Sequence, residues 1–469
     1  MKKIFFTSAV CLFTSAAFSQ VDLGLPSATG KGGAATGILY DWECIGINPA
    51  NLGWENNHRL SISTMIFGIS AQSAALDYTQ LKNAIMNPDE KFTAADKQNY
   101  AAAFSQAEGL NLQSNMNWFT FSFRVPKVGG FAMNLRDRTA GHIKLNKNAA
   151  EILFMGDQAP IFKDTAFWLQ PNPEKTVGKV YEGSEVGYMH YRELNLSYGA
   201  KLFGIGGTKD SSKVSVYGGV GFKYLWGMGN FEMEASNGVF TGHSALSSKY
   251  GIDYGTVNNF SPDKSASTAG SGSAFDIGAG VRIGKIQIAL SAVDMGKITW
   301  DKNVLVVNDT ILDSTLVTQG LNSWNVTGQA SQMFSADSGM MEFKPGPAYE
   351  TQMLSKFRLG VGFQISKRMV AGADLVLPMS DNPSNLAGAF FAAGTEIYLA
   401  DNFAFSIGFA GNSTYKFAMP FSVTFGRFFK ICELRIATND ILTYLSPGAG
   451  PNLSLSLSLF RFNLDAKKK

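Results

Sequence analysis

The sequence predicts an all-β chain that forms a 14-stranded antiparallel transmembrane β-barrel, with an N-terminal plug in its lumen and a helical insertion in the first outer loop. Three observations support this fold class. Apolar and polar residues alternate with a period of two through most of the chain. No run of about 18 consecutive apolar residues could form a membrane-spanning helix. The N-terminus has the pattern of an export signal.

The first residues have the three parts of a signal peptide. A basic start precedes the short apolar run Ile4–Phe13, and Ala17-Phe18-Ser19 places small residues at the two positions that a signal peptidase reads. We therefore expect residues 1–19 to be removed, so that the mature chain begins at Gln20. Export together with strand patterning favours an integral protein of the Gram-negative outer membrane over a secreted all-β protein.

Residues 20–57 precede the first strand and are expected to form the plug. They are too rich in glycine for a stable helix and too irregular for a strand. Apolar side chains such as Trp42 and Ile47 argue against a segment that lies free in water. We therefore predict that this segment packs inside the barrel formed by residues 58–462, with residues 463–469 as a C-terminal tail.

Fourteen stretches have the length and alternation of membrane strands. The clearest is the last, in which leucines at every second position from Leu453 to Leu459 alternate with serines. Such a strand presents one face to lipid and the other to a polar lumen, and its backbone groups must pair with neighbouring strands. The predicted strands are 59–71, 111–124, 129–138, 191–203, 213–226, 273–284, 286–300, 355–366, 368–379, 389–400, 402–412, 416–429, 432–444 and 453–462.

The connections alternate between long and short after the first strand, which is typical of long outer loops and short periplasmic turns. The first long connection contains many helix-forming residues over 75–107, and Thr93 lies three residues before Asp96 as a possible helix cap. We expect a helical insertion there.

The second long connection, residues 139–190, is rich in aromatic residues. Phe154, Phe162, Phe167 and Trp168 could line an entrance for an apolar ligand. The alternative is that these side chains pack the loop onto itself or onto its neighbours. A protein partner at the outer loops is also compatible with this composition.

Aromatic residues at strand ends are expected to form girdles at the two membrane interfaces. The candidates are Trp118, Tyr224, Trp226, Trp300, Tyr398, Phe428, Phe429, Phe460 and Phe462. The aromatic end of the last strand resembles the signal that the barrel-insertion machinery reads, so that machinery is an expected partner during biogenesis.

Charge and reactive residues exclude several function classes. The 40 Lys and Arg residues nearly balance the 37 Asp and Glu residues, which gives no reason to expect nucleic acid as a partner. No catalytic, cofactor or metal site is predicted, because the four histidines are scattered and carboxylates such as Glu193 and Glu396 fit a wet lumen. Cys44 and Cys432 could form a disulfide or remain two buried thiols.

The start of the mature chain resembles the FadL-like family of outer-membrane long-chain fatty-acid and hydrophobic-compound transporters. The resemblance rests on a glycine-rich approach followed by an Asn-Pro-Ala motif just before the first strand. The residues that carry it are Gly30, Gly32, Gly33, Gly37, Asn48, Pro49 and Ala50. The family has a fourteen-stranded barrel whose N-terminal segment forms a hatch in the lumen. Trp42, Glu43 and Cys44 depart from the usual hatch sequence.

The resemblance implies passive uptake of fatty-acid-like molecules, which enter among the outer loops and pass the hatch after it shifts. It implies that Asn48 hydrogen-bonds the hatch backbone, that Pro49 fixes its turn, and that the glycines allow close backbone paths. Membrane lipid and a hydrophobic ligand are the implied partners. Two alternatives stay open: a plug that never moves, and a non-transporting scaffold like the PorV-like components of the type IX secretion system in Bacteroidota.

Overall fold

The computed structural model describes residues 24–464 except 74, 106–108, 209–210, 253–259, 313–319, 326–328, 330–342, 383, 386–387, 401, 413–416, 429–431 and 446–451. The predicted signal peptide and most of the predicted C-terminal tail lie outside the described residues. The side chain of Cys432 does too.

Most of the described chain is β-strand. The strands are β1 (Leu60–Ser73), β2 (Leu110–Val125), β3 (Gly129–Lys144), β4 (Glu185–Thr208), β5 (Ser211–Ser236), β6 (Val239–Leu246), β7 (Gly270–Ile283), β8 (Ile286–Trp300), β9 (Val304–Asn308), β10 (Phe343–Pro345), β11 (Tyr349–Gln352), β12 (Lys356–Ser366), β13 (Met369–Pro378), β14 (Phe390–Ala400), β15 (Phe403–Asn412), β16 (Phe421–Phe428), β17 (Cys432–Thr438) and β18 (Asn452–Leu464).

Fourteen of these strands form a closed antiparallel ring. β1 to β5 pair in order, β5 pairs with β7, β7 with β8, and β8 with β12. β12 to β18 follow in order, and β18 pairs with β1 to close the barrel. The remaining strands β6, β9, β10 and β11 extend the wall at the long-loop end. The predicted 14-stranded antiparallel barrel is therefore confirmed.

Helices are short and lie in the connections and the N-terminal segment. The α-helices are α1 (Pro26–Thr29), α2 (Tyr78–Met86), α3 (Ala94–Phe104), α4 (Lys147–Met155), α5 (Thr165–Trp168), α6 (Val177–Val180) and α7 (Leu442–Leu445). The 3-10 helices are Asp41–Cys44, Pro49–Gly53, Gly156–Gln158, Pro160–Lys163, Asn172–Glu174 and Ser248–Tyr250.

The helices between β1 and β2 begin with reciprocal caps. At the start of α3, the backbone N–H of Asp96 donates to Thr93 Oγ1 at 3.2 Å, and the backbone N–H of Thr93 donates to Asp96 Oδ2 at 2.8 Å. Each bond satisfies a backbone donor that the first turn leaves without a helical partner. Within the described residues, no helix combines the length and apolar character needed to cross a membrane.

The alternation in the sequence separates the two faces of the wall. On β12, Arg358 is buried on the inner face, whereas Leu359, Val361 and Phe363 are exposed on the outer face. The same division holds around the ring and gives an apolar outer surface. The prediction that Trp300 belongs to an aromatic girdle is wrong. Its side chain is fully buried, and its Nε1 donates a hydrogen bond to Thr351 Oγ1 at 3.1 Å.

An aromatic cluster, hereafter the cap cluster, closes the long-loop end. Its central side chains are Tyr100, Phe104, Phe154 and Trp324, with Tyr100 and Phe104 on α3 and Phe154 on α4. The ring centroid of Phe154 lies 5.3 Å from that of Phe104 and 5.6 Å from that of Tyr100. These separations are typical of packed aromatic pairs. The two loop regions therefore form one apolar core above the barrel.

The N-terminal segment, residues 24–57, lies inside the ring of strands. Every residue from 24 to 54 is buried except Tyr40, which is partly exposed. The segment comes into close contact with β2, β3, β4, β5, β7, β12, β14, β15 and β16, which surround it. Several inner-face positions of these strands are glycines, because the backbone of the segment occupies the space of a side chain.

A methyl group at Gly219 on β5 should displace the N-terminal segment. A Cβ there would lie 2.4 Å from the backbone nitrogen of Ala50, which is too close for any relaxed contact. We expect Gly219→Ala to lower the free energy of unfolding by about 1–3 kcal/mol through overpacking, measured by urea unfolding of the purified barrel. Gly426→Ala is the matched control, since its nearest neighbour would lie 3.7 Å away. Equal stability of the two variants would contradict the contact.

Candidate functional site

The Asn-Pro-Ala motif joins the N-terminal segment to the wall. Asn48 caps the Pro49–Gly53 helix, because its Oδ1 accepts a hydrogen bond from the backbone N–H of Ala50 at 3.1 Å. Its Nδ2 donates to the backbone oxygen of Ala279 on β7 at 3.3 Å. The Asn48 side chain thus fixes the start of the Pro49–Gly53 helix and holds that helix against β7. The next residues of the motif pack against inner-face glycines of β4 and β5.

The glycines of the segment occupy positions where side chains would not fit. Gly32 and Gly33 have φ values of 68° and 96°, in the left-handed region that favours glycine. A Cβ on Gly30 would lie 2.2 Å from the hydroxyl of Ser422, and one on Gly37 would lie 2.7 Å from the backbone nitrogen of Gly362. All of the candidate plug residues therefore lie in the buried segment, and they contact several different strands of the wall.

The first of three polar clamps holds Lys31 at the wall. Its Nζ lies 3.0 Å from Glu396 Oε2, and the side chains of both residues are buried. Arg435 on β17 contacts the other oxygen of the same carboxylate at 3.1 Å. One carboxylate on β14 thus joins a cation of the segment to a cation of the wall.

The second clamp uses the acidic residues of the segment. Arg461 on β18 lies 3.3 Å from Glu43 and 3.7 Å from Asp41, with all three side chains buried. The backbone N–H of His58 donates to Asp41 Oδ1 at 2.9 Å, and its ring bonds the other oxygen. Arg461 on the last strand and His58, just before β1, thus bind the same carboxylate, that of Asp41.

The third clamp is made by hydrogen bonds at Thr36. Its backbone N–H donates to Asp374 Oδ2 on β13 at 3.0 Å. Arg358 on β12 donates from Nε to Thr36 Oγ1 at 2.9 Å and lies 3.2 Å from the Asp374 carboxylate. Arg358 also donates to the backbone oxygen of Gly33 at 3.2 Å. All four residues are buried, so each charge has a partner where water is excluded.

A second charged network lies on the opposite side of the lumen, nearer the long loops. Its six members are Arg136, Arg138, Glu193, Lys223, Asp276 and Asp294, and all of them are buried. Lys223 lies 2.7 Å from Asp276 and also contacts Asp294, which is 2.9 Å from Arg138. Arg136 lies 2.9 Å from Glu193. Three positive and three negative groups therefore balance within one network.

A β-bulge supplies one member of this network. The pairing of β7 with β8 shifts register between Phe275 and Ile277, and Asp294 on β8 adopts a φ of 58°. The extra residue lets Asp294 face inward beside Asp276, and its own backbone N–H donates to the Asp276 carboxylate at 2.8 Å. Bulges redirect side chains in this way. The sequence pattern alone did not identify this residue.

Cys44 is a free, buried thiol within the segment. Its Sγ donates to the backbone oxygen of Asp41 at 3.0 Å. Burial raises the pKa of the thiol well above its usual value, so it stays protonated and unreactive. Because Cys44 is unpaired, the disulfide with Cys432 is not formed in this structure.

The predicted entrance residues divide into two groups. Phe154 is buried in the cap cluster, whereas Phe162, Phe167 and Trp168 are partly buried and pack against its edge. The Phe162 and Trp168 rings stack with centroids 6.2 Å apart, and Phe167 contacts Trp168 edge-on at 5.1 Å. Leu169 beside them is 86% exposed. Apolar surface therefore continues from solvent into the core of the cap.

Within the described residues, the lumen contains the backbone of the N-terminal segment and charged side chains that pair with opposite charges. A hydrophobic molecule that reached it from the cap cluster would meet the network of Lys223 and Glu193 and then the N-terminal segment. Desolvated charges offer such a molecule no favourable contact. Movement through the centre therefore requires the segment to shift. The cations of the wall, Arg358, Arg435 and Arg461, were not singled out by sequence reasoning, although each occupies an inner position of an alternating strand.

Comparisons with known proteins identify similar barrels. The "TodX deltaS2S3 mutant monoaromatic hydrocarbon channel" shares 8% identity, covers 96% of this chain and 100% of its own, and gives a TM-score of 0.48. The "CymD monoaromatic hydrocarbon channel" shares 9% identity with the same coverage and a TM-score of 0.46. A Pseudomonas aeruginosa FadL homologue shares 11% identity, covers 95% of this chain and 98% of its own, and gives a TM-score of 0.41.

No curated protein matches the sequence. Residues 49–431 match the family described as "Family of unknown function (DUF5723)". This stretch runs from Pro49 of the Asn-Pro-Ala motif to the residue before β17 and includes most of the barrel. The chain therefore belongs to the DUF5723 family, a family of unknown function.

Proposed function

We propose that this chain is an outer-membrane barrel that admits hydrophobic small molecules, with residues 20–57 as its hatch. The apolar outer wall supports the membrane location, since a closed ring leaves no unpaired strand edge in lipid. The long loops would face outward and the short turns the periplasm. The ligand class, fatty-acid-like molecules, is the one implied by the resemblance of the N-terminal sequence.

The observation that carries the proposal is the continuous apolar surface at the long-loop end. It comprises exposed Leu169 and the partly buried Phe162, Phe167 and Trp168, and these three rings pack against the cap cluster that contains Phe154. A hydrophobic molecule captured there exchanges water for aromatic contacts at each step. We propose that this path is the ligand entrance.

Transport would then depend on release of the three clamps. The clamps join Lys31, Thr36, Asp41 and Glu43 of the hatch to partners on the wall. Opening requires these groups to exchange protein partners for water, which is feasible only if water enters the lumen at the same time. The hatch would therefore open as a hydrated state, and the glycines of the segment would allow its backbone to rearrange.

A second candidate function is a non-transporting outer-membrane scaffold or secretion partner. It is favoured by the same clamps, because buried charges with partners on β12, β13, β14, β17 and β18 oppose movement of the segment. In that case the apolar surface at the long-loop end would bind a protein partner. The two functions differ in one requirement: only transport needs the segment to move.

Phe167→Ser tests the entrance. We expect liposomes carrying this variant to take up labelled oleate several-fold more slowly than wild type, because apolar contact with the ligand worth roughly 1 kcal/mol is lost. The thermal stability should fall only slightly, since the side chain contacts Trp168 but is partly exposed. The control is Met86→Ser, which alters an exposed apolar side chain on α2, outside the proposed path. Equal uptake by both variants and wild type would exclude this path.

A disulfide between the segment and the wall tests its movement. An ideal Cβ on Gly24 would lie 2.7 Å from the Asn115 Cβ, so the two backbones must separate by about 1 Å to reach the Cβ separation of about 3.8 Å in disulfides. In a background of Cys44→Ser and Cys432→Ser, we expect oxidation of Gly24→Cys/Asn115→Cys to abolish oleate uptake and a reductant to restore it. Each single cysteine variant is the control. Full uptake in the oxidised double variant would favour the scaffold function.

The ligand itself can be identified from the purified protein. We expect mass spectrometry of organic extracts to show fatty-acid-like molecules bound to wild type and depleted in Phe167→Ser. Extracts that contain only detergent, together with a stable protein complex in pull-downs from membranes, would favour the scaffold.

A further inference from the structure

The outer face of the wall is apolar, but an ion pair interrupts it between β3 and β4. Arg192 donates from Nε and Nη2 to the two carboxylate oxygens of Asp137 at 2.7 and 2.8 Å. Trp118 on β2 donates from Nε1 to the same carboxylate at 2.7 Å. Charges on the lipid face of a barrel cost about 2–4 kcal/mol at the membrane midplane but little at its interfaces. The pair is therefore expected at an interface.

Neighbouring aromatic residues indicate the same level. The Trp118 ring centroid lies 5.9 Å from Arg192 Cζ, and Trp226 on β5 is the register partner of Arg192. Trp226 contacts Tyr224 with ring centroids 4.8 Å apart. Aromatic residues of this kind form girdles where barrels cross a membrane interface. Arg192 lies nearer the start of β4, so this girdle is at the long-loop end.

A second cation, Lys249, lies next to a residue that contacts β4 near Arg192. His190 on β4 bonds the Tyr250 hydroxyl through Nδ1 at 2.8 Å, and Tyr188 bonds the same hydroxyl at 3.0 Å. These bonds hold the Ser248–Tyr250 helix against the wall and present exposed Lys249 to the outside. Lys249 directly precedes Tyr250, and His190 precedes Arg192 by two positions on the same face of β4, so these contacts bring Lys249 to the side of the wall that carries Arg192.

Below the two cations the wall offers apolar surface. Leu196 on β4 and Val220 and Phe222 on β5 are exposed on the outer face. Their positions follow Arg192 toward the short-turn end. The surface thus combines two cations, flanking tryptophans and an adjoining apolar strip, which is the complement of an amphiphile with an anionic head.

We infer that Trp118, Arg192, Trp226 and Lys249, hereafter the headgroup patch, bind the phosphoryl headgroup of a membrane lipid in the leaflet on the long-loop side. Arg192 presents a planar guanidinium whose orientation is fixed by Asp137, and Lys249 adds a second positive charge. The acyl chains lie along Leu196 and Phe222. This inference rests on the proposed membrane location but not on transport.

Native mass spectrometry of the full chain in a neutral detergent tests the patch. The probes are phosphatidic acid, a galactosyl diacylglycerol without phosphate, and inorganic phosphate. We expect wild type to retain phosphatidic acid over the galactolipid. Arg192→Gln/Lys249→Gln should reduce that retention by about tenfold, as expected for two cations near an anionic surface. Lys297→Gln is the control, because Lys297 is an exposed lysine of the same wall that pairs with Glu350 at 2.7 Å.

Two further variants keep the test decisive if loss of Arg192 prevents folding. Lys249→Gln alone should reduce retention, and Asp137→Asn should increase it, since a carboxylate beside the phosphate is neutralised. Equal retention of both lipids, no effect of the cation variants, or equal binding of inorganic phosphate would overturn the inference. If the protein stays in solution without detergent, the proposed membrane location fails instead. If oleate uptake persists while the patch shows no preference, only the headgroup patch is wrong.

Discussion

The whole structure depends on one constraint: the strands pair with neighbours on both sides around a closed ring. Closure divides every strand into an outer and an inner face, because successive side chains point in opposite directions. The outer positions become apolar and the inner positions polar. Inner charges such as Arg358 and Arg461 are then remote from bulk water and need partners. The N-terminal segment supplies many of them.

This relation explains why the segment and the barrel form one unit. Lys31, Asp41 and Glu43 lie on an irregular backbone, yet each faces an opposite charge on the wall. Buried pairs add little net stability, but loss of one partner is costly, so they specify position more than they stabilise. Glycines on both sides of the contact allow the backbones to approach. A fixed plug and a releasable hatch share this construction and differ only in the free energy of hydrating the clamps.

The sequence predicted the ring more completely than its contents. Period-two alternation located every barrel strand, and the pattern around Leu453–Leu459 defined both faces of β18. The predicted strand 432–444 was too long, because β17 ends at Thr438 and Leu442–Leu445 forms the helix α7. The predicted lengths of β4 and β5 were too short. Both strands continue past the ring at the long-loop end, where tertiary packing decides their length. The sequence pattern also placed Trp300 in the outer girdle, although the wall extended by β11 encloses that side chain. The bulge at Asp294 has no local sequence signal. The motif glycines and Asn48 were identified, but their charged partners are distant in sequence.

The position of the segment constrains how the chain assembles. Its last residue lies three positions before Leu60, where β1 begins, and β1 pairs along most of its length with β18, the last of the described strands. Arg461 on β18 contacts Asp41 and Glu43 of the segment, so the strand that completes the seam also supplies the partner for two buried carboxylates. Closure of the ring and neutralisation of these carboxylates are therefore coupled.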